Sequence, residues 1–238
     1  MNLSRRKRAP SDVLTQGEVD LFLSTCKEHE RPYYPIFLTA FRTGLRLGEL
    51  VGLQWQDIDW NGRFIRVRRA VRRGVVGETK TGRERSVDMT DQLYEGLQAL
   101  QRQRKREGLK TGTGLGPYLF HRNGDPISQN SVRNVFKRVL EKAGLRNIRI
   151  HDIRHSYASL LLSAGVSPVY VKEQLGHTNI SMTVDIYGHW IRSTDRGAVN
   201  KLDGSVAHPS AMRTLPKMKR RNLLRLRLIS DNGAEGGT

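Results

Sequence analysis

Residues 151–165 read HDIRHSYASLLLSAG, and the fold turns on this stretch. Its spacing predicts a helix from about Asp152 to Ala164, stopped by Gly165. Ile153, Tyr157, Leu160, Leu161 and Ala164 fall on one apolar stripe, and His151 and Arg154 share the opposite face at i, i+3. The polar pair is therefore expected to point out of the core, at the positive end of a helix dipole, where a phosphate would be welcome. Two rivals stand beside this. His151 and His155 are spaced i, i+4, as zinc ligands on a helix are, but zinc needs a third ligand and usually an adjacent Glu, and the intervening Arg154 disfavours a cation. A plain surface histidine pair is the other.

Reading downstream, Ser167-Pro168 opens another helix that stops at Gly176, leaving His177 just past its end. Ser181 can cap a last short helix holding Tyr187, ten residues after His177. After Gly204 the periodicity fades, and a basic, loosely ordered tail over 205–238 is expected. Upstream, Ser128 is placed to cap a helix carrying Val132, Val135, Phe136, Val139, Leu140 and Ala143, stopped at Gly144. Lys110–Pro117 is a glycine-rich loop, and Thr90 caps a helix with Leu93, Leu97 and Leu100 on one face. Between about Arg63 and Met89, short alternating runs predict a small antiparallel sheet, with Lys80 at a hairpin tip near Gly82. Before it come a helix near Arg46–Leu53, another over Pro35–Thr43 that breaks at Gly44, and a first one opened by the capping box Thr15-Gln16-Gly17-Glu18. The expected class is α+β: one mostly helical domain over 11–204 with a small sheet, after a basic, disordered lead over residues 1–10.

Bulk chemistry narrows the partners. The chain has 238 residues, with 41 Lys and Arg against 23 Asp and Glu, a net charge of +18. Arg5–Arg8 account for +4 and the tail for +5, which leaves +9 on residues 9–204. A body this basic favours a polyanion, usually nucleic acid. The single cysteine, Cys26, excludes a disulfide framework and a thiolate metal cluster, and suits a reducing compartment. No apolar run approaches the roughly 20 residues of a membrane span, and the basic start lacks the apolar core of a signal peptide. A cytoplasmic, nucleoid-associated protein is expected.

Taken singly, the polar candidates are weak. His177 reads as a C-cap histidine. Tyr187, between Ile186 and Gly188, reads as filler. Arg46 and Glu49, at i, i+3 in TGLRLGEL, read as a surface ion pair worth under about 1 kcal/mol. Lys80, in TKTGRER, is one cation among many.

Their order along the chain is not weak. Thr-Gly-Leu-Arg-x-Gly-Glu-Leu, a lysine hairpin, His-x-x-Arg-His, Leu-Gly-His and then Tyr ten residues on resembles the tyrosine recombinases of the phage integrase type, over about Leu14–Trp190. LGHTNISMTVDIYGH, residues 175–189, is especially similar. The resemblance implies a catalytic domain that cuts and rejoins double-stranded DNA through a 3′-phosphotyrosine, in integration or excision of a mobile element. It implies Arg46, Lys80, His151, Arg154 and His177 around the scissile phosphate and Tyr187 as nucleophile. Glu49 would support Arg46, and Arg83 and Arg85 would contact DNA. Two arginines can neutralise the charge built on the non-bridging oxygens, so neither metal nor nucleotide cofactor is expected. A homotetramer on DNA, with accessory DNA-bending proteins, follows from the same resemblance. Full-length relatives carry a helical core-binding domain before the catalytic one. This chain begins almost at the catalytic part, so that domain is expected to be absent. Type IB topoisomerases share the active-site chemistry and are the nearest alternative. A truncated, non-catalytic DNA-binding module is the other.

Overall fold

The structure, a computed structural model, describes residues 13–72, 74–78 and 84–179. All belong to the first of two units, residues 1–192; the second begins at Ser193. Thr15 opens α1 (Gln16–His29) with the expected reciprocal bonds to Glu18. A 3-10 turn, Arg31–Tyr33, leads into α2 (Tyr34–Thr43), and α3 (Leu47–Val51) follows three residues later. The apolar faces of these helices meet that of α5 (Gln129–Lys142). There Phe22 sits with ring centroids 5.2 Å from both Phe37 and Phe136. Aromatic rings offset or edge-on at such distances fix the helix approach as well as burying area.

The single sheet expected over 63–89 is two. β1 (Ile58–Asp59), β2 (Phe64–Val67) and β5 (Arg85–Asp88) form an antiparallel sheet in that order, with Ile65 opposite Val87 and Val67 opposite Arg85. Among the described residues β3 (Arg69–Arg72) and β4 (Val75–Glu78) pair only with each other. The reason lies in β3: Ala70 and Val71 are buried, and their neighbour across the packing is α3, where Gly48 brings helix backbone against the Val71 carbonyl. α4 (Asp91–Thr111) starts at the predicted Thr90 cap and runs two residues into the supposed loop before Gly112 takes a left-handed φ of 72°. A short hairpin, β6 (His121–Arg122) with β7 (Asp125–Pro126), escaped the sequence reading because two-residue strands carry no periodicity. Ser128 precedes α5, but its hydroxyl makes no cap bond. α6 (Asp152–Ser163) and α7 (Pro168–Leu175) lie where expected, with the Ser167 hydroxyl capping α7. No helix among the described residues is long and apolar enough to cross a membrane.

α6 departs from its predicted face. It is buried on nearly every side, and Arg154 is only 3% exposed. Tyr157, Ala158 and Leu162 form a small satellite core with Val171 and Leu175 of α7. Gly44 makes this packing possible. It ends α2 at φ 61°, and a Cβ there would sit 2.6 Å from Tyr157 Cδ1. Gly44→Ala should therefore cost about 2 kcal/mol or more, from left-handed strain and the clash together. Chemical denaturation would measure it; a loss under about 0.5 kcal/mol would show that neither constraint operates.

Candidate active site

Arg46 stands at the N-cap of α3 and Glu49 at its third position. The Glu49 carboxylate accepts the Arg46 backbone N–H at 3.0 Å and Arg46 Nη1–H at 2.9 Å. This is no surface pair, because Glu49 is 2% exposed. Arg85 donates to the same carboxylate from the other side, Nη1–H to Oε1 at 3.1 Å and Nη2–H to Oε2 at 2.7 Å. Burial pushes the Glu49 pKa up, but the Arg85 hydrogen bonds and charge, with Arg46 behind them, win and hold it at about 2. The buried group is a carboxylate.

Arg154 performs the second bridging. Its Nη1–H donates to the Gly44 carbonyl at 2.9 Å, and Nη2–H to the Leu175 carbonyl. Gly44 lies two residues before Arg46, and Leu175 two before His177. One guanidinium thus fixes the backbone on which both side chains are mounted. The expectation that Arg154 points away from the core is corrected: helix-end carbonyls turn it inward, into a site between α2, α6 and α7.

His151 stands at the N-cap position of α6, where its side chain makes no cap bond, with its ring edge-on to His155 at 5.2 Å between centroids. The turn before it is latched by the buried Asp152, which accepts Arg149 N–H at 2.8 Å and Nε–H at 3.0 Å. His177 follows Gly176, with its N–H on the Lys172 carbonyl. Both imidazoles are driven to about 4. For half-buried His177 desolvation leads, followed by the coulombic effects of Arg154, Arg46, His155 and Arg85; for His151, whose residue as a whole stays exposed, desolvation of the ring still leads, then His155 and Arg154. Arg154 and His155 act on both rings, whereas Arg46 acts on His177. Among the described residues no group of three potential ligands could hold a metal ion.

Lys80, Arg83 and Tyr187 lie outside the described residues. Arg85, expected on DNA, is instead turned inward, with its side chain 12% exposed. Its role was readable in principle. Residues two apart in a strand share a face, and Arg85 shares one with the buried Val87. Gln174 was missed altogether. Buried on α7, it accepts the Asp88 N–H on its side-chain oxygen at 2.9 Å and Arg85 Nε–H on its backbone carbonyl at 3.0 Å.

The profile of the phage integrase family matches residues 12–192, and the chain belongs to that family. It is 34% identical over 188 residues to a XerC-like tyrosine recombinase of Caldanaerobacter subterraneus, covering 71% of this chain and 48% of that protein. It is 31% identical over 196 residues to the ICEBs1 integrase of Bacillus subtilis, covering 78% and 52%. The chain thus spans about half the length of the curated relatives it matches. The Tn1549 transposon integrase, solved with a circular intermediate DNA, superposes with a TM-score of 0.68 at 27% identity, covering 82% of this chain and 68% of that one. The catalytic domain of bacteriophage HP1 integrase shares the fold, with a TM-score of 0.56 at 20% identity over 79% of this chain and 93% of that one.

The depressed pKa values fix how stability depends on pH. Folded His151 and His177 titrate near 4 and their unfolded forms near 6.5, so between those values the unfolded chain binds more protons. Their contribution is complete above about 6.5 and is lost as the pH falls toward 4. Glu49, near 2 folded against 4.5 unfolded, acts in the same direction below 4.5. Denaturation midpoints should fall steadily from pH 7 to pH 4, and ring-proton NMR should find both histidines neutral at pH 6. Midpoints that rise on acidification would refute the assignment.

Proposed function

We propose that this chain catalyses site-specific DNA recombination, integrating or excising a mobile element by cleaving and rejoining strands through a 3′-phosphotyrosine. The observation that carries the reading is the pair of bonds by which the buried Arg154 guanidinium ties the backbone beside Arg46 to that beside His177. In this reading Arg46 and Arg154 offset the charge that grows on the non-bridging oxygens as the phosphodiester is attacked. A guanidinium forks onto phosphate without needing a metal. Tyr187 is the nucleophile, and a phenol of reference pKa about 10 needs cations or a base to lose its proton.

The histidines suit this through their response to substrate. Without DNA, desolvation first and the surrounding cations second hold them neutral and poorly basic. A bound phosphate offsets those cations and raises both imidazoles toward their ordinary range. The site thus gains proton acceptors when the anion arrives. Lys80 donates to the leaving 5′-oxygen, because an ammonium can be tuned to give up its proton where an arginine cannot. Arg83 adds to phosphate binding. The phosphotyrosine keeps the energy of the broken bond, so rejoining needs a 5′-hydroxyl and no nucleotide cofactor. Tetramer formation on DNA, help from DNA-bending proteins and a nucleoid location belong to the same proposal, as do a domain over 11–204 and a separate basic tail.

Tyr187→Phe should abolish covalent adduct formation on a pool of nicked duplexes with randomised flanks, while leaving duplex affinity intact. An adduct mapped to Tyr157, Tyr170 or another tyrosine would refute the nucleophile. Failure of the parent to form any adduct would favour a non-catalytic DNA-binding module, and relaxation of plasmid lacking any specific site would favour a topoisomerase.

Lys80→Ala should cleave ordinary DNA about 10²–10⁴ times more slowly. Sulfur at the 5′-bridging position should restore its rate, since a thiolate leaves with a conjugate-acid pKa of about 8.5 against roughly 15.7 for water. Arg46→Ala and Arg154→Ala should stay slow on both substrates. A Lys80→Ala enzyme that sulfur does not rescue would assign the proton to another group.

A further inference from the structure

Arg85 stands apart from the other site cations because its partners belong to the two segments that the reaction must hold together. Two of its donors fork onto the Glu49 carboxylate at 3.1 and 2.7 Å. A third, Nε–H, reaches the Gln174 carbonyl at 3.0 Å. Glu49 in turn holds the Arg46 backbone and guanidinium, and Gln174 lies three residues before His177. The path of the Arg85 stem is kept open by Gly176, where a Cβ would come within 2.8 Å of Arg85 Cδ. β5 is fastened to α7 a second time at Asp88, whose N–H donates to Gln174 Oε1 at 2.9 Å and whose carboxylate accepts the Tyr170 hydroxyl at 2.6 Å. Arg85 also begins the strand that follows the Lys80 segment in sequence.

We propose that Arg85 is a positioning residue: it makes no DNA contact, and through Glu49 and the Gln174 carbonyl it sets the separation between Arg46 and His177. Its relevance to strand cleavage rests on the proposed function above; the geometry it enforces does not. A guanidinium is suited to the task because its planar fork satisfies both carboxylate oxygens and still has Nε–H for the carbonyl. A lysine in its place keeps the charge and loses the fork. The charged groups facing Glu49 are Arg46 from its own helix and Arg85 from β5, while His177, past the end of α7, feels both arginines. Removing Arg85 leaves a buried carboxylate with one partner, and its proton affinity must rise.

The full chain with Arg85→Ala, Arg85→Lys or Glu49→Gln separates three roles. Affinity for a random-sequence duplex across a salt series should be unchanged in slope for both Arg85 variants. A phosphate contact would instead lower the slope by about 0.9, and that result would overturn the proposal. Adduct formation on the nicked pool should fall about tenfold or more in Arg85→Ala, with the acid limb of its pH profile moved up by at least about one unit. In the Glu49→Gln background Arg85→Ala should produce no such move. A fall in activity with the acid limb unmoved would mean a purely structural role and would also overturn it. Should Arg85→Ala fail to fold, Arg85→Gln, which also removes the charge, carries the same readouts. If the parent forms no adduct, the recombinase reading fails, and carbon-13 NMR of the glutamate carboxyls and histidine rings still decides. Glu49 must titrate higher and the His177 ring resonances must shift in Arg85→Lys; unchanged spectra reject the positioning role.

Discussion

A guanidinium buried at the meeting point of three helices is the constraint on which the site depends. Taking an ion from water into a protein costs several kcal/mol unless it is well compensated. Arg154 is compensated by carbonyls at two helix C-termini, Gly44 closing α2 and Leu175 closing α7. Unpaired carbonyls gather partial negative charge at such ends, so each is a natural acceptor for a cation. The bonds therefore relieve two helix ends and one buried charge together. They also explain why Arg46 and His177, 131 residues apart in sequence, keep a common frame.

Charge in the site is deliberately uneven. Arg46, Arg85 and Arg154 gather with three histidines, and Glu49 is the carboxylate that Arg46 and Arg85 share. His151 and His177 answer by staying neutral, which limits the repulsion. A cluster so arranged, with one carboxylate shared between Arg46 and Arg85, stays electropositive. This suits a polyanion whose phosphate must be held by the same groups that stabilise the charge developing on it.

Much of this was legible in the sequence, and the parts that were not share a cause. Helix ends carry local chemistry: the Thr15 capping box, Gly44, Ser167-Pro168 and Gly176 each sit where the structure needs them. The sheet was harder, because β3 turns away from β2 to meet α3 and that choice is tertiary. The face of α6 was misjudged because its polar residues are satisfied inside: Ser156 accepts the Leu14 N–H, and Arg154 finds two carbonyls. A stripe of apolar residues marks one buried face of a helix, but it says nothing about a second face buried through hydrogen bonds. The partial burial of Arg85 follows from its position in the strand, in phase with Val87, which its charge alone does not reveal.

The small core shared by α6 and α7 is nearly separate from the main one. An element held by so few apolar side chains would ordinarily open by itself, well below the free energy of global unfolding. For α7 such opening also strips acceptors from Arg154 and Arg85, leaving two cations in low-dielectric surroundings with fewer partners. The penalty for partial opening is thus electrostatic, and it falls on residues of α6 and β5 that have not moved. The arginines therefore make α7 cooperative with the rest of the domain in a way that its own packing would not.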